Sequence, residues 1–221
     1  MLIKKISAKF SLVYFSIFIV IGINAPFFPL WLSSKGFTER YIAIILATSV
    51  LTKLLANPFF AGLGDKYGNR KKPMLYLSFI STIILFSLNI FNSLYLIAFM
   101  AITSWALFAP LMPLTESLTT TAIKKYNFDY GNTRLWGSVS FIIIAFFGGI
   151  IIEKYGLKYV PILMTIGALF LFLSIIIMPT IPSLPARKKF STYALLKNRN
   201  FFPFLLACGA IQSSHGIYYG F

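Results

Sequence analysis

The sequence predicts an all-α integral membrane protein, and three observations carry that prediction. Of 221 residues, 58% are hydrophobic and only 11% charged, whereas a soluble domain carries about 45–50% apolar and about 25% charged residues. Apolar runs long enough to cross a bilayer recur along the whole chain. Basic residues, which give a net charge of +15, gather in alternate connections between those runs. At about 20 residues per span plus loops, this length accommodates six or seven transmembrane helices and excludes twelve.

In order, the expected spans are 10–31, 41–61, 73–91, 94–122, 135–152, 159–178 and 201–221. Each far exceeds strand length, and in lipid a helix satisfies its own backbone hydrogen bonds. The first follows Lys4, Lys5 and Lys9, but no small-residue cleavage site follows its apolar stretch, so it reads as a retained helix. Pro26 and Pro29 in the first span, and Pro110 and Pro113 in the fourth, remove backbone donors near in-membrane polar groups. Carbonyls freed in this way suit a wet cavity, and proline kinks also occur without any ligand. Ala145 and Gly149 form a small-xxx-small step suited to helix packing.

Charge then sets direction. Fifteen of the twenty basic residues fall in the N-terminal tail and the second–third, fourth–fifth and sixth–seventh connections; four lie on the opposite side, and Lys53 lies within a span. The asymmetry places the N-terminus in the cytoplasm. It also accounts for the net charge without nucleic acid, which is not an expected partner. The stretch 179–200 holds Pro179, Pro182, Pro185 and a basic cluster. It reads as a cytoplasmic linker, with a short surface helix over Tyr193–Leu196. The expected organisation is therefore a six-helix bundle (1–178), a linker (179–200) and a seventh helix (201–221).

Polar groups within spans are costly in lipid and mark candidate sites. Ser49, Lys53 and Asn57 follow at four-residue steps and share one helix face. Lys53 lies about 12 Å above the end of its apolar run, too far for a lysine stem to snorkel easily to the headgroups. A cavity-facing role is favoured. Glu116, the only acidic residue within a span, falls at a similar depth, so an ion pair with Lys53 is one expectation. Proton or substrate-charge coupling is the other. Asn24 lies beside the prolines of the first span, and Gln212, His215 and Tyr219 share a face of the seventh. His215 fits a proton relay or a hydrogen bond between helices. The expected substrate or proton pathway thus comprises Asn24, Lys53, Asn57, Glu116, Gln212 and His215. No catalytic constellation, phosphate-binding glycine loop or metal-ligand cluster is present in the sequence, and its single cysteine, Cys208, excludes an internal disulfide. Neither an enzyme nor a cofactor is expected.

The connection after the second span reads AGLGDKYGNRKK, Ala61 to Lys72. This resembles the loop motif of the major facilitator superfamily, with Ala61 where the family usually has a glycine and Asn69 where a basic residue is usual. Gly62, Gly64 and Gly68 suit a short reversal. Asp65 suits a nearby helix N-terminus. Arg70, Lys71 and Lys72 suit anionic headgroups. In that family the aspartate is thought to help latch the two halves of the transporter.

Leu114–Leu118 (LTESL), Asp129–Ser138 (DYGNTRLWGS) and Ser214–Phe221 (SHGIYYGF) resemble the branch containing phenylpropionate permeases, related to nucleoside and lactose permeases. Glu116 and Arg134 are typical of that branch; Arg134 suits either a functional role or an interfacial anchor. The resemblance implies a proton-linked secondary transporter of a small organic solute, working by alternating access between two six-helix halves. It implies a multi-pass protein of a bacterial inner membrane, and a second half that is absent or separately encoded. The alternatives are a truncated remnant without activity of its own, and a membrane scaffold or partner subunit.

Overall fold

The computed structural model describes the backbone over residues 2–66, 68–182 and 201–220, and side chains over 3–66, 68–182 and 201–211. Its helices are α1 (Leu2–Ser34), α2 (Glu39–Lys66), α3 (Lys71–Ser87), α4 (Leu94–Phe108), α5 (Leu111–Tyr126), α6 (Tyr130–Tyr155), α7 (Val160–Ile177) and α8 (Phe201–Gly220). A single 3₁₀ turn, Leu157–Tyr159, leads into α7. Five stretches are long and apolar enough to cross a membrane: Ile3–Ser34, Glu39–Lys66, Leu94–Tyr126, Tyr130–Tyr155 and Leu157–Ile177. At 17 residues, α3 rises about 25 Å, the lower limit for a crossing.

Two compact units are present, Met1–Ser183 and Leu184–Phe221. In the second, the described element is α8. Within the first, neighbouring helices run α6–α1–α7–α3–α4–α2, with α5 reaching α1, α3 and α6. α1 is central: 56% of its apolar window is buried, against 11% for α2 at the end of the row. Phe10, Val13, Ile17 and Leu32 of α1 are fully enclosed. Leu51, Leu54, Leu55 and Phe59 of α2 instead face outward, which is tolerable where the surrounding medium is itself apolar.

Close approach to α1 depends on glycines of its neighbours. A Cβ at Gly167 of α7 would fall 2.6 Å from Ile19 Cγ2, and one at Gly148 of α6 would fall 2.4 Å from Ile23 Cδ1. Gly148, more than the Ala145–Gly149 step, marks the tight contact, because a Cβ at Gly149 would meet Phe27 at an ordinary 3.4 Å. The Ser140 hydroxyl donates to the Phe15 carbonyl at 2.7 Å, adding a polar tie between α6 and α1.

The expected fourth span is two helices. α4 ends at Phe108 and α5 begins at Leu111. Pro110, lacking an N–H, cannot continue the ladder to Ala106 and instead stands as the N-cap of α5. The proline pair of α1 has no such effect, and that helix continues through Pro26 and Pro29.

Candidate functional site

Two polar clusters lie inside the first unit, at two levels along α1. The first forms where α1, α2 and α4 meet. Trp105 of α4 donates its indole N–H to Asn24 Oδ1 at 3.1 Å, and its ring lies 5.0 Å from Lys53 Nζ. The tryptophan therefore uses its polar edge on one residue and its electron-rich face on the other. One turn before Lys53, Ser49 is buried and donates to the Ile45 carbonyl at 2.7 Å. One turn after it, Asn57 Oδ1 is enclosed and, among the described residues, is the one buried side-chain polar atom without a hydrogen bond. Asn24 and Lys53 thus converge through Trp105.

The second cluster surrounds Glu116. Its Oε1 lies 3.2 Å from Arg134 Nε, and its Oε2 accepts a 2.7 Å hydrogen bond from the Tyr130 hydroxyl. Tyr130 and Arg134 are one turn apart on α6 and present both donors together. The Arg134 guanidinium also covers the rings of Phe18, at 4.7 Å, and Tyr14, at 5.4 Å. The Tyr14 hydroxyl donates to Thr119 Oγ1 at 3.2 Å. Both members of the ion pair are partly buried, each side chain 29% exposed. Phe18 and Asn24, six residues apart on α1, put the two clusters about 9 Å apart along its axis.

This pairing corrects the expected Lys53–Glu116 ion pair. Among the described residues the ion pairs are Arg134–Glu116 and Arg70–Asp65. Two geometric facts explain the difference. α2 runs on to Lys66 and α5 to Tyr126, so Lys53 stands about 20 Å and Glu116 about 15 Å from its helix end. The reversal between α5 and α6 is also short. Asn127 adopts a left-handed φ of 51°, and Asp129 caps α6 by accepting from the Asn132 N–H at 2.5 Å. Arg134 is thereby folded back onto Glu116. α2 packs along α4, which offers Lys53 a ring and not a carboxylate.

The loop between α2 and α3 is built differently from its sequence reading. Gly62 and Gly64 lie inside α2, and Gly68 alone of the three has positive φ, +60°. Gly64 makes room: a Cβ there would stand 2.9 Å from Arg70 Cγ. Arg70 turns inward, donating from Nε and Nη2 to Asp65 Oδ1 at 2.9 and 2.5 Å, and from Nη1 to Ser117 Oγ of α5. Asp65 is accordingly engaged by the guanidinium, and the N-terminus of α3 is met instead by Asn69, whose Oδ1 accepts from the Lys71 N–H at 3.0 Å. Lys71 Nζ donates to the Ile176 carbonyl at 2.8 Å and to that of Met178, tying α3 to the last turn of α7. Two of the three basic residues expected at lipid headgroups are thus committed within the protein.

The side chains of Gln212 and His215, the residues 183–200 with the expected Tyr193–Leu196 helix, and Tyr67 lie outside the described residues. Sequence reasoning missed Trp105, Tyr130, Tyr14 and Ser117. Trp105 carried a signal, because tryptophan concentrates at membrane interfaces and here occupies the interior of an apolar run.

The MFS_1 like family model matches residues 7–221. The chain is 30% identical to the probable 3-phenylpropionic acid transporter of Escherichia coli K12, over 96% of this chain and 57% of that protein. It is 26% identical to a sucrose permease of Escherichia coli, over 86% of this chain and 49% of the permease. It is 29% identical to the lactose permease of Citrobacter freundii, over 59% of this chain and 33% of that one. The chain spans about half the length of these curated relatives. From the apolar helices, the loop after α2 and these matches, the chain is a multi-pass membrane protein that belongs to the MFS_1-like family of major facilitator transporters and resembles the phenylpropionate permease.

Proposed function

We propose that the chain forms the N-terminal half, and the first helix of the second half, of a secondary transporter that moves a small organic acid by alternating access. On this reading 1–178 is one wall of the transport cavity, 179–200 a cytoplasmic linker, and 201–221 the start of the opposite wall. The complementary half belongs either to the same polypeptide or to a second one. The N-terminus is cytoplasmic, following the distribution of basic residues.

The observation that carries the reading is Lys53, a cation in the interior of an apolar helix whose described contact is the Trp105 ring. A lysine at that depth is unfavourable without a counter-charge, and a substrate carboxylate supplies one. Trp105 offers an aromatic wall beside it. The Escherichia coli relative, a probable 3-phenylpropionic acid transporter, agrees with this chemistry. Glu116 is assigned proton coupling: protonation would release Arg134 and Tyr130, loosening α5 from α6. Asp65, Arg70 and Lys71 form the conformational latch, while Gln212 and His215 are proposed for the opposite wall.

Trp105 supplies the test. In the purified chain, titration with 3-phenylpropionate should change tryptophan fluorescence saturably. The change should vanish in Trp105→Phe and in Lys53→Met, with circular dichroism unaltered. A wild-type chain whose fluorescence does not respond, or a Lys53→Met chain that responds like wild type, would remove the anion site.

A further inference from the structure

We propose that Asn24 is a positioning residue that makes the anion site prefer aromatic over saturated acids, by fixing the plane of the Trp105 ring. This role rests on the assignment of Lys53 to the substrate anion and concerns what the carboxylate carries. Lys53 by itself is indifferent to that group. A lysine is a compact charge on a flexible stem, and it pairs with any carboxylate within reach. Trp105, whose ring centroid lies 5.0 Å from Lys53 Nζ, is the surface beside the rest of the acid. Aromatic rings attract one another through their quadrupoles, and that attraction depends on the angle between them. A saturated ring gains only from the apolar area it covers. Discrimination therefore requires an indole held at one angle.

Two contacts hold it. Phe108, one turn further along α4, stands at 81° to the indole with 5.3 Å between ring centroids. Phe108 belongs to the same helix and moves with it. Asn24 belongs to α1, the most enclosed of the membrane-crossing stretches, and its neighbour Ile23 is buried. The 3.1 Å hydrogen bond from the indole N–H to Asn24 Oδ1 thus ties the ring to the central helix of the unit, and it is directional. Without an acceptor at position 24, the N–H is left unpaired in an apolar setting, and the ring turns toward another oxygen. Asn24 acts through Trp105 and need not touch the acid. Lys53 keeps its charge in either case, so affinity for a carboxylate as such persists.

The test compares two probes, 3-phenylpropionate and 3-cyclohexylpropionate, which share carboxylate and chain length and differ in the aromaticity of the ring. Isothermal titration calorimetry of the purified full chain needs no tryptophan as reporter. The wild-type chain should favour the phenyl acid by about fivefold, the size of an aromatic pair beyond its buried area. Asn24→Leu, of the same branched shape but without an acceptor, should erase that preference by weakening the phenyl acid alone. In a Trp105→Phe background, which lacks the indole N–H, Asn24→Leu should change nothing further. Equal affinity of the wild-type chain for both acids would overturn the proposal. So would a preference that survives Asn24→Leu, an equal loss of both acids, or a further loss in the Trp105→Phe background. A wild-type chain that binds neither acid would remove the anion site itself, and this role with it. Should Asn24→Leu fail to fold, Trp105→Phe decides alone: it keeps a ring without the N–H, and a preference that survives it overturns the proposal.

Discussion

Lys53 and Glu116 were legible as exceptional residues but not as to their partners. An interior lysine and an interior carboxylate are visible in any hydropathy trace, because lipid makes each of them costly. Their partners depend on where helices end and how sharply the chain reverses, and apolar runs blur both. Glu116 belongs with Arg134 because Asn127 and Asp129 turn the chain within three residues. Removing one partner strands the other, so Arg134→Gln should lower the melting temperature in detergent more than the double variant Glu116→Gln/Arg134→Gln. The coupling expected of such a contact is about 1–3 kcal/mol. Strict additivity would mean the pair contributes nothing to stability.

Gly62 and Gly64 are two residues apart in one helix yet differ in what surrounds them. Among the described residues, nothing outside its own helix backbone comes within 4 Å of a Cβ placed at Gly62, whereas Gly64 leaves 2.9 Å to Arg70 Cγ. Gly62→Ala should therefore be neutral or stabilising, by up to about 1 kcal/mol from helix propensity. Gly64→Ala should displace Arg70 from Asp65 and Ser117 and destabilise the loop. Thermal melts of the two variants check the contrast, and equal effects would mean the Arg70 approach does not constrain the helix. The family motif marked both glycines, but only coordinates separate them.

Among the helices, existence was legible and continuity was not. Runs of spanning length are the strongest signal a membrane sequence carries, and α1, α2, α6 and α7 appear where they were expected. The run over 94–122 is unbroken in hydropathy, yet Pro110 divides it into α4 and α5. The proline was visible, but so were Pro26 and Pro29, which do not break α1. Packing order around α1 was beyond the sequence, because every face of these helices is apolar and periodicity fades. Small residues are the surviving clue. The α7–α1 contact at Gly167 meets β-branched Ile19 and Val20 close to the backbone, with Ile19 Cβ at 3.3 Å. At Gly148 the nearest atom is the terminal methyl of Ile23, which can rotate away. Gly167→Ala should thus cost about 1–3 kcal/mol through overpacking, and Gly148→Ala less. Denaturation in mixed micelles would reveal the order, and its reversal would contradict the packing described for α1.

For the molecule, composition and charge placement gave the class, and the loop motif gave the family, well before any helix was positioned. What lay beyond reach was the chemistry between spans: a tryptophan shared by an asparagine and a lysine, and an arginine folded onto a glutamate. Both arise from residues far apart in the chain, brought together by helix reversals whose length hydropathy does not record. The family membership and the interior cation together support the proposal that Lys53 binds the substrate anion.

Accumulation of labelled 3-phenylpropionate by proteoliposomes, with the exterior acidified, tests that claim most directly. Reconstituted together with its complementary half, the protein should concentrate the acid above its equilibrium level. Lys53→Met should abolish both accumulation and exchange, and Glu116→Gln should abolish accumulation while sparing exchange. Undiminished accumulation in Lys53→Met would contradict the account.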